Sequence, residues 1–312
     1  MHVSRRVIAA AVAILVVLAG CTVGSGSIGA PSPSPAGSAF TPAASASFLP
    51  VPVTSEFGVG ANRVVFGLLD ATGTQSAATP DRTLSIGYHG PKGETIPAAP
   101  LTFIWAVEGV KGVYAGHATF PTAGSWVADF TSGAPGSPPA TVSFSFDVKQ
   151  HTQVVFPGDP APSVVTPTLS DVGGDVAKIS SDPKPVPAFY QTSEADALAA
   201  KKPFVLIFAT PKFCQTATCG PTLDKLKPIA TAHPEMTFIN VEPYQLKFDN
   251  GSLQPVLSAD NQLIPVQATT AFKLQSEPYV FVVGPDGKVS SSFELVFSPE
   301  ELDAAIKAVE AG

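Results

Sequence analysis

The stretch FVLIFATPKFCQTATCGP, residues 204–221, directs how the carboxy-terminal part of this 312-residue chain folds. Its first six residues form a continuous apolar run, as a strand buried on both faces requires. Two cysteines follow, Cys214 and Cys219, and then Pro221, a residue that helices accept in their first turn. The stretch therefore predicts a buried strand, a loop that carries two thiols, and the start of a helix.

Helices and strands alternate on both sides of this stretch, from Pro187 to the end of the chain. Helix starts are marked by capping residues, and strands by short apolar runs. The predicted elements are a short helix that Ser193 and Asp196 cap and that runs through Ala200, strands over 204–209 and 236–241, a helix from about Pro221, a hairpin of strands over 279–283 and 289–296 around Gly284-Pro285-Asp286-Gly287, and a final helix that begins with Ser298, Pro299 and Glu301.

The order of these elements, over roughly residues 188–312, resembles the thioredoxin fold. Besides the buried strand, the likeness is carried by Phe213 before the first cysteine, Pro228 where the active-site helix of that family is often kinked, and Glu277-Pro278 just before a strand. The resemblance implies that Pro278 is a cis-proline facing the cysteine pair and shaping the partner groove. The fold class predicted for this part of the chain is α/β.

The resemblance also implies a chemistry for the two cysteines, namely thiol–disulfide exchange without a cofactor. Cys214, the first sulfur, would attack, and Cys219 would resolve the mixed disulfide. The partners would be proteins or small thiols of the cell envelope. Catalytic roles are thus predicted for Cys214, Cys219 and Pro278.

The spacing of the pair departs from the family pattern, because four residues separate the cysteines where the family has two. On a regular helix, residues five apart have Cα atoms about 8 to 9 Å apart, beyond the roughly 7 Å limit for a disulfide. Cys214 and Cys219 therefore cannot share one undistorted helix, and we expect a loop between them. A helix N-terminus and Lys212 would stabilise a thiolate there, whereas Glu277 would oppose it if it points inward.

Alternative roles for the pair stay open at the level of sequence. A Cys214–Cys219 disulfide closes so short a loop that it contributes only about 2 kcal/mol, which favours a redox role over a structural one. The alternative is a catalytically inert envelope binding protein with a structural disulfide. A third interpretation is Cu(I) handling, but no histidine follows His233 to serve as a further ligand, so no metal site is predicted.

The amino terminus has the pattern of a signal peptide. Arg5 and Arg6 precede an apolar run over residues 7–18, which is too short to span a membrane. The run ends in Leu-Ala-Gly-Cys21, which resembles the lipobox of bacterial lipoproteins. The resemblance implies that residues 1–20 are cleaved and that Cys21 carries acyl chains such as palmitate. The protein would then be lipid-anchored on the extracytoplasmic face of a bacterial membrane.

The middle of the chain divides into a tether, a β domain and a linker. Residues 21–55 are rich in Gly, Ser, Pro, Ala and Thr and are predicted as a flexible tether. Residues 56–150 alternate apolar and polar side chains in short runs, which predicts an all-β immunoglobulin-like sandwich with a spacer or interaction role. Residues 151–187 hold seven prolines and are predicted as a linker laid extended over a domain surface.

Charge excludes one class of partner. The chain has 18 Lys+Arg against 25 Asp+Glu, a net charge of −7, and only four arginines. A nucleic-acid-binding protein needs a basic face to neutralise phosphates. We therefore expect no nucleic-acid partner.

Overall fold

A computed structural model describes residues 47–311 of the chain. The predicted signal peptide, the lipidation at Cys21 and most of the predicted tether lie outside these residues. Within the described range, none of the helices has the length and apolar character needed to cross a membrane.

Residues 48–149 form two β-sheets that face each other across one apolar core, as in a β-sandwich. The strands are β1 (Phe48–Pro52), β2 (Phe57–Gly58), β3 (Gly60–Asp70), β4 (Thr83–His89), β5 (Thr95–Pro100), β6 (Thr102–Val107), β7 (Lys111–Phe120), β8 (Gly124–Gly133) and β9 (Ala140–Lys149). One sheet has the order β1-β3-β7-β6 and the other the order β2-β9-β8-β4-β5. Neighbouring strands are antiparallel except β2 and β9, which run parallel.

The alternating pattern of the sequence builds this core. Along β9, Val142, Phe144, Phe146 and Val148 are buried, while the residues between them face outward. Trp126 of β8 is fully buried, and its indole N–H donates to a backbone carbonyl, so its one polar atom is satisfied.

The first strand of the sandwich lies within the range 21–55 that was predicted as a tether. Phe48 is fully buried in the core, and β1 pairs with β3 from Phe48↔Asp70 to Pro52↔Phe66. Pro50 and Pro52 lack the backbone N–H that a central strand needs, but β1 is an edge strand, where half of the backbone N–H groups need no ladder partner. The sandwich therefore begins at residue 48 rather than at residue 56.

Residues 187–310 form the second sheet domain, in which a mixed sheet, separate from the two sheets of the sandwich, lies between two layers of helices. The elements are α1 (Glu194–Ala199), β10 (Phe204–Phe208), α2 (Cys219–Ala232), β11 (Thr237–Val241), β12 (Leu246–Asp249), β13 (Ser252–Pro255), α3 (Gln267–Ala271), β14 (Tyr279–Val283), β15 (Val289–Glu294) and α4 (Pro299–Glu310). The sheet has the order β11-β10-β14-β15, with β10 parallel to β11 and antiparallel to β14, and β12 and β13 pair separately. Altogether the described chain is β-rich, with several sheets and few helices.

Strand β10 is buried on both faces, as its unbroken apolar run predicted. Val205 and Ile207 face a core that includes residues of α2 and α4. Phe204, Leu206 and Phe208 face another core, which includes residues of α1 and α3. The helices thus cover both faces of the sheet, and the loop after β10 emerges at one edge of the layers.

The predicted helix boundaries agree with the structure to within two residues. The helix expected near Pro221 begins at Cys219, so Cys219 is its first residue and Pro221 lies in its first turn. The final helix has the predicted capping box, in which the Ser298 hydroxyl accepts from the Glu301 N–H and the Glu301 carboxylate accepts from the Ser298 N–H.

The Pro-rich segment 151–187 contacts the second sheet domain, but it is not extended throughout, because it contains short 3-10 helices at Leu169–Val172 and Val176–Lys178. The N–H groups of Gly158 and Ala161 donate to the carbonyls of Val289 and Gly287, at 2.8 and 2.9 Å. Val164 is buried in the core that faces α1 and α3. The segment is therefore an integral part of this domain's surface.

The sandwich and the second sheet domain are in direct contact. The Arg63 guanidinium makes a bidentate ion pair with Glu301 of α4, with N···O distances of 3.0 and 2.9 Å. Lys225 of α2 donates to the carbonyl of Trp105 in β6. Val296 packs into an apolar cluster of the sandwich. The helix that begins with Cys219 is thus braced by the sandwich.

Candidate functional site

The two cysteines lie together where β10 ends and α2 begins. Cys214 is half-buried in the connecting loop, whereas Cys219 is fully buried as the first residue of α2. The two Sγ atoms and a carboxylate oxygen of Glu277 all lie within 4.8 Å of one another. Both cysteines are free thiols here, so the Cys214–Cys219 disulfide stays a prediction.

The four residues between the cysteines form a compact loop that folds back on the first sulfur. Ala217 has a φ of 63°, in the left-handed region, which costs a non-glycine residue on the order of 1 kcal/mol. This reversal brings the backbone N–H of Cys219 within 3.3 Å of Cys214 Sγ, to which it donates. Thr216 Oγ1 also lies 3.3 Å from that sulfur. The wider spacing is therefore accommodated by a loop before the helix, as helix geometry required.

The surroundings of the two sulfurs differ, and so do their acidities. The hydrogen bond from the Cys219 thiol lowers the pKa of Cys214 to about 5; burial opposes the shift, and Thr216 and the Cys219 backbone N–H add to it. The same hydrogen bond, together with burial, raises the pKa of Cys219 far above its ordinary value. At neutral pH the site thus holds a thiolate at Cys214 and a thiol at Cys219.

Lys212, which was predicted to stabilise the thiolate, has its ammonium group elsewhere. Its Nζ donates to the Leu253 carbonyl at 2.8 Å and lies 5.4 Å from the centre of the Phe213 ring. Hydrogen-bond donors of the loop and of the first helical turn therefore stabilise the Cys214 thiolate, as is common for cysteines at helix N-termini.

Glu277 points inward at the cysteine pair. Its side chain is buried, and its oxygens accept from the Gln215 N–H at 2.7 Å and from the Tyr244 hydroxyl at 2.5 Å. Burial raises the pKa of Glu277, these two hydrogen bonds oppose the shift, and the charge of Cys214 adds to it. The site therefore contains a carboxyl group with increased proton affinity beside two sulfurs.

Pro278, the third predicted site residue, follows Glu277 through a cis peptide bond, as the family resemblance implied. The carbonyl of Glu277 accepts from the Thr216 hydroxyl at 2.8 Å, which joins this bond to the cysteine loop. Cys214, Cys219 and Glu277 thus lie together, and Pro278 is joined to them through its peptide bond with Glu277.

Tyr244 and Thr216 are site residues that sequence reasoning did not identify. Tyr244 follows β11, and β11 runs parallel to β10, which precedes the cysteine loop. Residues that follow parallel strands lie at the same edge of a sheet. The position of Tyr244 after β11 could therefore have predicted that it lies near the cysteine loop. Thr216 gave no such signal, because its contacts depend on the conformation of the loop.

Within the described part of the chain, no histidine belongs to this group of ligand atoms. Among residues 47–311, the group Cys214, Cys219 and Glu277 is the one cluster of three or more potential metal ligands. His233 instead bonds Asp303 and Glu310 of α4, at 2.9 and 3.1 Å.

The chain matches no family model, and no curated protein matches it. Several solved structures are similar to parts of it, including the following two. One is a DUF4426 family protein from Pseudomonas aeruginosa, which is 16% identical with a TM-score of 0.23 over 30% of this chain and 77% of that one. The other is a copper-bound variant of FetP from uropathogenic Escherichia coli, which is 14% identical with a TM-score of 0.27 over 38% of this chain and 97% of that one. Similarities with TM-scores this low do not support a conclusion about fold or function.

Proposed function

We propose that the protein is a thioredoxin-like thiol–disulfide exchange protein whose reactive groups are Cys214 and Cys219. The observation that carries the proposal is the unequal pair: a half-buried sulfur held as thiolate beside a fully buried thiol. Thiolates, not thiols, attack disulfides, and a low pKa keeps the attacking sulfur ionised at neutral pH.

The exchange has two steps. The Cys214 thiolate attacks a partner disulfide, forms a mixed disulfide and releases one partner sulfur as thiolate. Cys219 then attacks Cys214 Sγ, which closes the Cys214–Cys219 disulfide and releases the second partner sulfur. Cys219 must lose its proton in this step, and the Glu277 carboxylate, which lies within 4.8 Å of both sulfurs, would accept it through one bridging water. The protein's two thiols are oxidised and the partner disulfide is reduced.

The fold assignment within this proposal is supported by the layout of the elements. The sheet with helices on both faces, Pro228 inside α2 and the cis bond before Pro278 accord with a thioredoxin-like domain. The sandwich has strand orders that accord with an immunoglobulin-like domain, including the parallel pairing of its short strand β2 with its last strand.

Trapping the mixed disulfide tests the proposal. With Cys219→Ser in cells, Cys214 should form stable mixed disulfides with envelope proteins, because nothing resolves them. The matched control, Cys214→Ser, should trap none. The wild-type pair should have a reduction potential above about −300 mV, since structural disulfides lie below this value. Absence of trapped partners together with a lower potential would favour the alternative, an inert binding protein with a structural disulfide.

The location is a separate part of the proposal. We infer that Cys21 is acylated and tethers the protein to the outer face of a bacterial membrane, where partners would be envelope proteins or small thiols. Labelling with a palmitate analogue should mark the wild-type chain and leave Cys21→Ser unlabelled. Labelling of both proteins would contradict acylation at Cys21.

A further inference from the structure

The two cysteine sulfurs and the Glu277 carboxylate are three potential metal ligands. They could bind a metal ion whether or not the protein exchanges disulfides. The two sulfurs and the carboxylate oxygen lie within 4.8 Å of one another. Around a tetrahedral zinc ion, with Zn–S about 2.3 Å and Zn–O about 2.1 Å, such donors lie about 3.6 to 3.8 Å apart. Each pair of atoms would therefore need to approach by no more than about 1.2 Å.

The kind of ligand atom selects the metal. Two thiolates favour zinc and Cu(I), whereas a carboxylate is a poor ligand for Cu(I) and an ordinary one for zinc. Three protein ligands leave the fourth zinc position free, and Cys214 is half-buried, so this position would be open to water or a small anion.

Two of the three donors, the Glu277 carboxylate and Cys214 Sγ, are already oriented by hydrogen bonds from neighbouring groups. The Gln215 N–H and the Tyr244 hydroxyl each donate to one oxygen of Glu277. The Cys219 N–H donates to Cys214 Sγ. Metal ligands typically have partners of this kind, and their loss costs about 10- to 100-fold in affinity.

We propose that the reduced protein binds one Zn(II) through Cys214 Sγ, Cys219 Sγ and the Glu277 carboxylate. Binding displaces the proton of Cys219, so that two thiolates and one carboxylate face the ion. Oxidation of the pair to a disulfide removes both sulfur ligands. Zinc binding and disulfide exchange would then exclude each other, and zinc would hold the pair in its reduced form.

Cobalt titration of the purified, reduced and metal-free full chain tests the site. Co(II) should give sulfur-to-metal charge-transfer absorption that saturates at one equivalent, and added Zn(II) should remove it. Cys214→Ser and Cys219→Ser should each lose most of the absorption. Glu277→Gln should weaken binding at least about tenfold, and Tyr244→Phe, which keeps all three ligands, should weaken it by about tenfold.

The control is Glu242→Gln, because Glu242 is a buried carboxylate that bonds the Ser181 N–H at 2.6 Å and is not part of the ligand group. It should bind Co(II) as the wild type does. Absence of charge-transfer absorption in the reduced wild type would overturn the site. Equal affinity in wild type, Glu277→Gln and Tyr244→Phe would overturn the role of Glu277. The titration needs only reduced thiols, so its result is independent of whether the protein exchanges disulfides.

Discussion

At the scale of single residues, Cys214 and Cys219 differ in charge although they lie side by side. Cys214 is stabilised as a thiolate by donors from the loop and the first turn of α2, and its pKa is lowered to about 5. Cys219 donates its proton towards that thiolate and is fully buried. The Cys214 sulfur is therefore nucleophilic at neutral pH, whereas the Cys219 sulfur remains protonated.

Alkylation tests this division directly. Iodoacetamide should modify Cys214 at a rate that rises from about pH 4 to about pH 6 and then levels off, because the thiolate is already fully formed above its pKa. Cys219 should remain unmodified over this range in the folded protein. Mass spectrometry of peptides locates the label, and Cys214→Ser serves as the control. A rate that keeps rising up to about pH 9, near the ordinary pKa of a thiol, would contradict the lowered pKa.

Glu277 is proposed as the proton acceptor in the resolving step, and an aromatic disulfide reagent separates that step from the first attack. The first thiolate released reports on Cys214, and the second reports on Cys219. Glu277→Gln should slow the second release by at least about tenfold and leave the first release nearly unchanged. Loss of a general base usually slows a reaction by about 100-fold or more, so tenfold is a minimum. Glu277→Asp should recover part of the rate.

The control for this prediction is again Glu242→Gln, which removes a buried carboxylate outside the group of sulfurs and Glu277. It should release both thiolates at the wild-type rate. If Glu277→Gln slowed both releases equally, Glu277 would be a structural residue and not a proton acceptor.

At the scale of elements, local signals predicted most boundaries, and β1 shows where they failed. The apolar run of β10 and the capping box of α4 are contained in short stretches of sequence, so both were predicted. The range 21–55 was predicted as a tether from its composition, and the prolines of β1 are residues that a central strand does not accept. Only its position at the edge of a sheet makes β1 compatible with prolines.

Substitution in β1 tests whether this strand belongs to the sandwich. Phe48→Ala should lower the free energy of unfolding by about 3 to 5 kcal/mol, because it empties a fully buried position. Val51→Ala in the same strand should cost less than about 1 kcal/mol, because Val51 is 38% exposed. Urea unfolding followed by Trp fluorescence measures both. Equally small changes in the free energy of unfolding for both variants would show that this segment is part of the tether and not of the sandwich.

At the scale of the whole molecule, Glu301 links a local cap to the contact between domains. Its carboxylate accepts from the Ser298 N–H and also from the Arg63 guanidinium. Burial works against ionisation, but Arg63 and the cap hold the pKa of Glu301 below its ordinary value. The ion pair is charge-assisted and bidentate, and the Arg63 side chain is only 9% exposed.

A double-mutant cycle measures what this pair contributes to docking. Arg63→Ala, Glu301→Ala and the double variant should give a coupling energy of about 1 to 3 kcal/mol in urea unfolding. The loss of the helix cap cancels in the coupling energy, because Glu301→Ala removes the cap both in the single variant and in the double variant. As a comparison, the exposed pair Lys307–Asp303 in α4 should give a coupling below about 0.5 kcal/mol. A coupling near zero for Arg63 and Glu301 would show that other contacts hold the domains.

Short-range sequence signals were sufficient for the alternating β pattern, the buried strand β10, the helix caps and the position of two thiols at a helix start, because each depends on residues close together in the chain. The remaining features required the packed molecule. Glu277 reaches Gln215 from 62 positions away, Tyr244 reaches Glu277 from 33, and Phe48 fills a core contributed by distant strands. Such contacts depend on how sheets and loops pack. The difference in acidity between Cys214 and Cys219 arises there too, because it depends on which sulfur the folded chain buries and which one the loop surrounds with donors.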